Sequence, residues 1–311
     1  MSRTRKLVGI LIFIISLFGL YYVCSHYEKV TTYLIKTYRR ITRKDVIVPE
    51  DTQYHRTYTY STVKETDNFE VKNIEEIKDV YYTFLNNGWK TFTFYCDFEY
   101  TNCIEDLKLV ATKEANDDDY ITLINNYVSP FNSYTTLNTL ITGDDQVTLT
   151  VERVYNEDEI KRINDKIDLV LKDLKIDTSF VTNEDIKKVH DYIIENTTYD
   201  KNYKTDEESP LSGKANGSLL NNTAVCSGYT DAFALFLDRM NIPNFKISTK
   251  EHIWNVVYFD NKWRHIDVTW DDDEINKNNN RNFYMINTDE LIEKDGEEHN
   301  YNKDLYLELK K

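Results

Sequence analysis

The stretch AVCSGYTDAFALFLDRM (224–240) decides the fold. Tyr229, Ala232, Phe233, Phe236, Leu237 and Met240 recur at the spacing that places apolar side chains on one face of a helix. The following NIP (241–243) ends that helix, because Asn241 tolerates a left-handed cap and Pro243 blocks continuation. Counting back, Cys226 falls in the first turn. There the unpaired backbone N–H groups and the helix dipole favour a thiolate, and the same N–H groups can hold an oxyanion. Gly228 leaves room for another chain to approach the turn. A lone cysteine is more often a small buried apolar residue than a nucleophile, so the neighbours of the sulfur decide its role.

Those neighbours are expected from HIWNVVYFDNKWRHIDVTW (252–270), two alternating apolar arms around Asp260-Asn261, a favoured two-residue hairpin turn. With that turn Phe259 faces Lys262 and Tyr258 faces Trp263, and His252 falls opposite Thr269. Asp267 is then one diagonal step from His252 on the same face, within reach of an Asp–His hydrogen bond. A slip of one residue in register would turn Asp267 away. A nucleophilic cysteine needs a base and the base needs an orienting acceptor, and Cys226, His252 and Asp267 supply the three roles. Trp254, on the same face, is a core residue or a roof for the site. His190 shares a stripe with Ile186, Val189 and Ile193 and reads as a hydrogen-bonded core histidine. His265, two residues from Asp267, is a poorer partner for it. A zinc site from Cys226, His252 and His265 lacks a second cysteine or a close histidine pair, so no metal and no cofactor is expected.

Outward from this block, NEDEIKRINDKIDLVLKDLKI (156–176) is an amphipathic helix with Ile160, Ile163, Ile167, Val170, Leu171 and Leu174 on one face. TNEDIKKVHDYIIENTTYD (182–200) is another, capped by Thr182. Upstream, 73–88 reads as a helix ending at Gly88, and KTFTFYCDF (90–98) and DQVTLTVERVY (145–155) read as strands. The expected organisation is a basic head (1–6), a transmembrane signal anchor (7–24), a polar stalk (25–65), a small α+β region (66–155) and a catalytic-type domain (156–311). The anchor rests on LVGILIFIISLFGLYYVC (7–24), uncharged and long enough to span a bilayer core. The adjacent basic head places the body outside the cell, while Lys29, Lys36, Arg39, Arg40, Arg43 and Lys44 beyond the span pull the other way.

The chain carries a formal net charge of −15. Nine of its basic residues lie within residues 1–44, leaving 29 basic against 52 acidic side chains in the rest. So acidic a body does not attract nucleic acid, and it tolerates cationic substrates. Cys96 and Cys103 are spaced for a short disulfide in an oxidising compartment, and Cys226 has no obvious partner. No Cys-x-x-Cys supports a redox enzyme.

As a set, IKKVHDYIIENTTYD (186–200), SLLNNTAVCSGYTDAFALFLDRMNIP (218–243), HIWNVVYFDNKWRHIDVTWDDD (252–273) and NFYMIN (282–287) resemble the transglutaminase-like superfamily, which shares the papain-like cysteine-peptidase core. The resemblance covers about residues 180–290. It implies an α+β fold with the cysteine helix packed on an antiparallel sheet, and Cys226, His252 and Asp267 as the triad. The chain is similar to bacterial surface or exported proteins. The sequence departs from the family's pattern at Glu251 (usually Gly), at Ile253 (often Ala) and at Asn222, where Asn stands for a turn Gly. Asn216 stands where many members carry Tyr, and its amide is a candidate oxyanion donor.

The expected function is a membrane-anchored, extracytoplasmic cysteine enzyme acting on amide bonds of a peptide or protein, such as a cell-wall or surface protein, through a thioester. Water as acceptor makes it a peptidase or amidase; an amine makes it a cross-linking acyltransferase. The alternative is a non-catalytic surface binding or scaffolding module that keeps the fold.

Overall fold

The computed structural model describes residues 3–111, 120–203, 211–272 and 281–310, without the side chains of 3–7, 10 and 40. The basic head, 1–6, therefore lies outside the described side chains, as does residue 273 of the hairpin motif. The chain divides into two compact units, Met1–Ile47 and Val48–Lys311.

The smaller unit is two helices, α1 (Arg3–Ser25) and α2 (Tyr27–Thr42). The apolar run expected as a single span lies in α1. No single described helix is long and apolar enough to cross a membrane; Leu11–Ser25 and Tyr27–Arg39 meet that criterion only as a pair, bent by 88°. α2 is amphipathic. Tyr27, Val30, Leu34, Tyr38 and Ile41 share one face, and Lys29, Lys36 and Arg39 lie on the other.

The larger unit begins with a four-stranded sheet in the order β1 (Glu70–Val71), β2 (Thr91–Cys96), β4 (Gln146–Arg153), β3 (Tyr134–Thr142). Its side chains Phe92, Phe94, Val147 and Leu149 are buried, with Phe94 6.5 Å from the Tyr81 ring of α3 (Ile74–Asn86), and α4 (Cys103–Ala111) and α5 (Tyr120–Tyr127) pack on α3. Asn73 caps α3 and Gly88, at φ 69°, follows its end, as the sequence suggests. The Cys96–Cys103 disulfide joins the end of β2 to the start of α4.

Next come α6 (Glu157–Asp173) and α7 (Asn183–Asn196), each opened by a capping box, on Asn156 and Thr182. A two-residue parallel pair, β5 (Thr198–Tyr199) and β6 (Thr223–Ala224), flanks α8 (Ala215–Asn221). Asn222 ends α8 in the left-handed conformation that Asn tolerates. The cysteine helix α9 (Cys226–Arg239) packs on the antiparallel sheet β7 (Asn244–Ser248), β8 (Ile253–Phe259), β9 (Lys262–Ile266), and α10 (Thr288–Lys294) follows. Tyr229, Ala232, Phe233, Phe236, Leu237 and Met240 are all buried, the stripe read from the sequence.

Two expected boundaries are corrected. Residues 48–65 are not the end of a stalk. Arg56 is 4% exposed and all its guanidinium donors are used: Nε and Nη2 bond the Asp238 carboxylate at 3.1 and 3.2 Å, Nη1 bonds the carbonyls of Tyr127 and Asn244 at 3.1 and 3.0 Å, and Nη2 also bonds Asn244 Oδ1 at 2.9 Å. The buried Glu308 carboxylate accepts from Thr62 Oγ1 at 2.7 Å and Tyr127 Oη at 2.8 Å. Nor does 66–155 part from 156–311: Tyr127 stacks on Phe245 at 4.7 Å, and Asn126 donates to Ser248 and Tyr306. Buried cations and carboxylates require complete pairing, and here the partners come from both ends of the unit.

Candidate active site

The hairpin register is the expected one. Phe259 pairs with Lys262, Tyr258 with Trp263, and the ladder runs to Asn255–Ile266. Asp260 and Asn261, at φ 50° and 59°, make the turn. His252 precedes β8 and Asp267 follows β9, so both side chains stand where the ladder stops. The Asp267 N–H bonds Phe283 O at 3.0 Å instead, and Phe283 N donates to Asp271 Oδ1 at 2.9 Å. Asp271 Oδ2 faces the buried His190, which also meets Asp191; this is the core role read for His190, and it holds the segment after Asp267 in place.

His252 Nε2 and Asp267 Oδ2 form a short buried hydrogen bond, and Trp270 N donates to Asp267 Oδ1 at 3.0 Å. Cys226, half-buried at the first position of α9, lies beside His252 and adds to its proton affinity; with Nε2 engaged by Asp267, the nitrogen left for the thiol is Nδ1. The three expected residues are thus adjacent. Burial by itself lowers the proton affinity of His252, but the Asp267 charge and hydrogen bond, with Cys226, outweigh it and hold the imidazole at about 10. Burial pushes the Asp267 carboxyl up; the His252 and His299 imidazoles more than reverse this and hold it well below the usual carboxylate range.

The structure gives the three subsidiary candidates, Asn216, Gly228 and Trp254, packing roles, and the core reading of Trp254 holds. Asn216 is buried, and its amide donates to Glu159 Oε1 at 2.8 Å, so that donor is committed away from the thiol. The space beside Gly228 is filled by the protein's own backbone: a Cβ there would lie 2.5 Å from Ser212 O and 2.9 Å from Lys214 O. Gly228 permits a close chain crossing and offers no surface to a substrate. Trp254 is fully buried, stacks on the His252 ring at 5.8 Å and donates Nε1 to His265 Nδ1 at 3.1 Å, which makes it a wall behind the base. The half-exposed aromatic near His252 is Trp270, 6.4 Å from its ring. Burial pushes His265 down to about 3; neutral, it accepts from Trp254 and donates Nε2 to Thr288 Oγ1 at 3.0 Å.

The sequence reading missed His299. It is fully buried, with Nε2 2.9 Å from Asp267 Oδ2 and Nδ1 2.8 Å from Asp295 Oδ2. His299 lies in the acidic segment EKDGEEHN (293–300), outside every motif and without periodicity, so no sequence signal marked it. His252, Asp267 and His299 bring three metal-ligand atoms within 4.8 Å of one another. Ligands across a tetrahedral zinc stand roughly 3.3 Å apart. Here Asp267 Oδ2 lies at hydrogen-bond distance from both imidazoles, so N–H···O contacts occupy the space an ion would need.

Residues 174–268 match the family model of the transglutaminase-like superfamily. Among solved structures the chain is similar to a TGase (16% identity, 44% of this chain and 44% of that one, TM-score 0.32). It is also similar to a candidate cysteine protease from Cytophaga hutchinsonii (11% identity, 43% and 61%, TM-score 0.27). A third similarity is to menin, in a structure showing its binding site for the Mixed Lineage Leukemia protein (16% identity, 66% and 37%, TM-score 0.28). The chain spans less than two thirds of the length of each. No curated protein matches it.

Proposed function

From the premise of a transglutaminase-like domain over residues 174–268, we propose that the protein is a cysteine-dependent amide-bond enzyme working through a thioester. The observation that carries this reading is the placing of Cys226, at the start of a buried helix, beside His252, which is itself hydrogen-bonded to Asp267. His252 takes the thiol proton to give an ion pair, and Asp267 balances the imidazolium. The Cys226 sulfur attacks the amide carbonyl carbon. The first-turn amides of Cys226 and Ser227 hold the oxyanion, since the Gly228 and Tyr229 N–H groups are closed onto Val225 O at 2.9 and 3.1 Å. The C–N bond breaks as His252 gives its proton to the leaving amine, leaving a thioester. His252 then takes a proton from water or from an acceptor amine, the thioester opens to an acid or a new amide, and the ion pair is restored.

The substrate is a peptide or protein, taken from a cell-wall or surface source. The Met1–Ile47 unit is a membrane anchor with the body outside the cell. Support comes from the apolar α1, the amphipathic α2 with basic residues on its polar face, and the Cys96–Cys103 disulfide, a bond typical of oxidising compartments. Labelling by iodoacetamide at neutral pH tests the chemistry. Cys226 reacts rapidly in the full chain, slows by an order of magnitude or more in His252→Ala, and gives no adduct at position 226 in Cys226→Ser. A Cys226 that labels only at alkaline pH would mean that the thiolate is not activated. A second reading, a non-catalytic binding module, draws on Asn216, whose amide is held by Glu159. An activated Cys226 that forms no acyl-enzyme with any member of a broad peptide library would favour it.

A further inference from the structure

The Asp267 carboxylate serves two imidazoles through one oxygen. His252 Nε2 and His299 Nε2 both meet Oδ2, and the two rings stand 5.2 Å apart at 79°. The second nitrogen of His299 also faces a carboxylate, Asp295 Oδ2 at 2.8 Å. An ionised carboxylate only accepts hydrogen bonds, so the two contacts call for an N–H on each His299 nitrogen. The surroundings suit a cation. Trp254, Phe283 and Trp270 ring centroids lie 4.7, 5.4 and 5.8 Å from the His299 ring, within the range over which aromatic faces attract a positive charge. The contrast with His265 is instructive: it is equally buried and also near Trp254, but its partners are an indole N–H and a hydroxyl, and it stays neutral.

We propose that His299 is a positioning residue of the thiol centre, a fixed buried cation that anchors Asp267 and limits how much of its charge reaches His252. The proposal rests on the enzymatic reading above and deepens it. A base tied to an uncompensated buried carboxylate would keep its proton and be a poor acid towards the leaving amine, and a usable one titrates nearer the working pH. His299⁺ offsets part of that charge while its N–H holds the carboxylate orientation. The charged and titratable groups around it are Asp267 and His252 from the hairpin ends, His265 from β9, and Asp295 and Glu298 from its own segment. Glu298 is turned to Trp270 Nε1 at 3.2 Å.

Ring-nitrogen NMR of the full chain tests this. At neutral pH both His299 nitrogens are expected to be protonated; one unprotonated nitrogen would overturn the proposal. In His299→Gln, which keeps an N–H donor but no charge, the pH at which His252 loses its proton should move upward by about one to two units. A merely structural role predicts no movement, or a downward one as Asp267 loses its orientation, and either result refutes the proposal. Asp295→Asn, at a side chain 15% exposed, keeps an acceptor oxygen but removes the negative charge that favours the second proton, and should shift His252 in the same direction by less. It decides the matter if His299→Gln does not fold. Iodoacetamide labelling separates the two readings: an inert wild-type Cys226 with a doubly protonated His299 and shifted His252 defeats the enzyme and leaves the clamp standing.

Discussion

The four-stranded mixed sheet and the three-stranded antiparallel sheet of the larger unit both bury apolar side chains and do different things. In the β1–β2–β4–β3 sheet the inward positions are Phe92, Phe94, Val147 and Leu149, and the sheet ends in a disulfide. The β7–β8–β9 sheet is also lined by apolar residues, Phe245, Ile247, Val256 and Val257, but ionisable groups stand at its open end. His252 comes one residue before β8 and Asp267 one residue after β9, facing the first turn of α9. A ladder gives backbone order with few places for chemistry. Its end supplies rigid attachment together with side chains free to pair across the gap. Buried charge is tolerated there because each group has partners: Asp267 has two imidazoles and a backbone N–H.

That contrast can be broken in order of expected effect. Cys226→Ala abolishes both iodoacetamide labelling at the helix start and any acyl-enzyme seen by mass spectrometry, with the fold unchanged by circular dichroism. Asp267→Asn keeps the shape and removes the charge, and turnover or acylation should fall on the order of 10²–10⁴-fold. Arg56→Met leaves the half-buried Asp238 carboxylate and the Tyr127 and Asn244 carbonyls without their donor and should cost about 2–3 kcal/mol in urea unfolding, with Cys226 labelling of the folded fraction unaltered. Replacing Cys96 and Cys103 with serine removes a short cross-link and should cost about 2–3 kcal/mol. If this last change also slowed Cys226, the two sheets would not be functionally separate.

The smallest effect is a pH dependence. His252 rises from 6.5 to about 10 on folding and Asp267 falls below its ordinary 3.8. A raised base stabilises the fold below its unfolded value and loses that contribution as pH climbs to the folded one; a depressed acid stabilises it above its unfolded value and loses it in acid. The melting-temperature difference between wild type and Asp267→Asn should therefore be greatest between about pH 4 and 6.5 and shrink towards pH 10. A difference that grew with pH would contradict the pairing.

Much of the larger unit could be read from the chain because its signals are local. The stripe from Tyr229 to Met240, the caps at Asn156 and Thr182, and the Asp260-Asn261 turn are set by neighbouring residues, and the hairpin register carried His252 and Asp267 to one face. Strand β3 escaped because it is an edge strand with Thr and Asn on exposed positions, so it lacks alternation. Residues 48–65 looked like a linker because polar composition does not reveal that Arg56 finds five acceptors, four of them more than 180 residues away.

The sequence by itself determined the cysteine helix, the hairpin and the shared face of His252 and Asp267, since helix and strand periodicity act over a few residues. Tertiary structure alone decided that Asn216 turns to Glu159, that the chain's own backbone fills the space at Gly228, and that His299 closes on Asp267 from 32 residues downstream. Those outcomes depend on which distant groups share a low-dielectric interior, where every charge and donor must find a partner, and no local pattern encodes that.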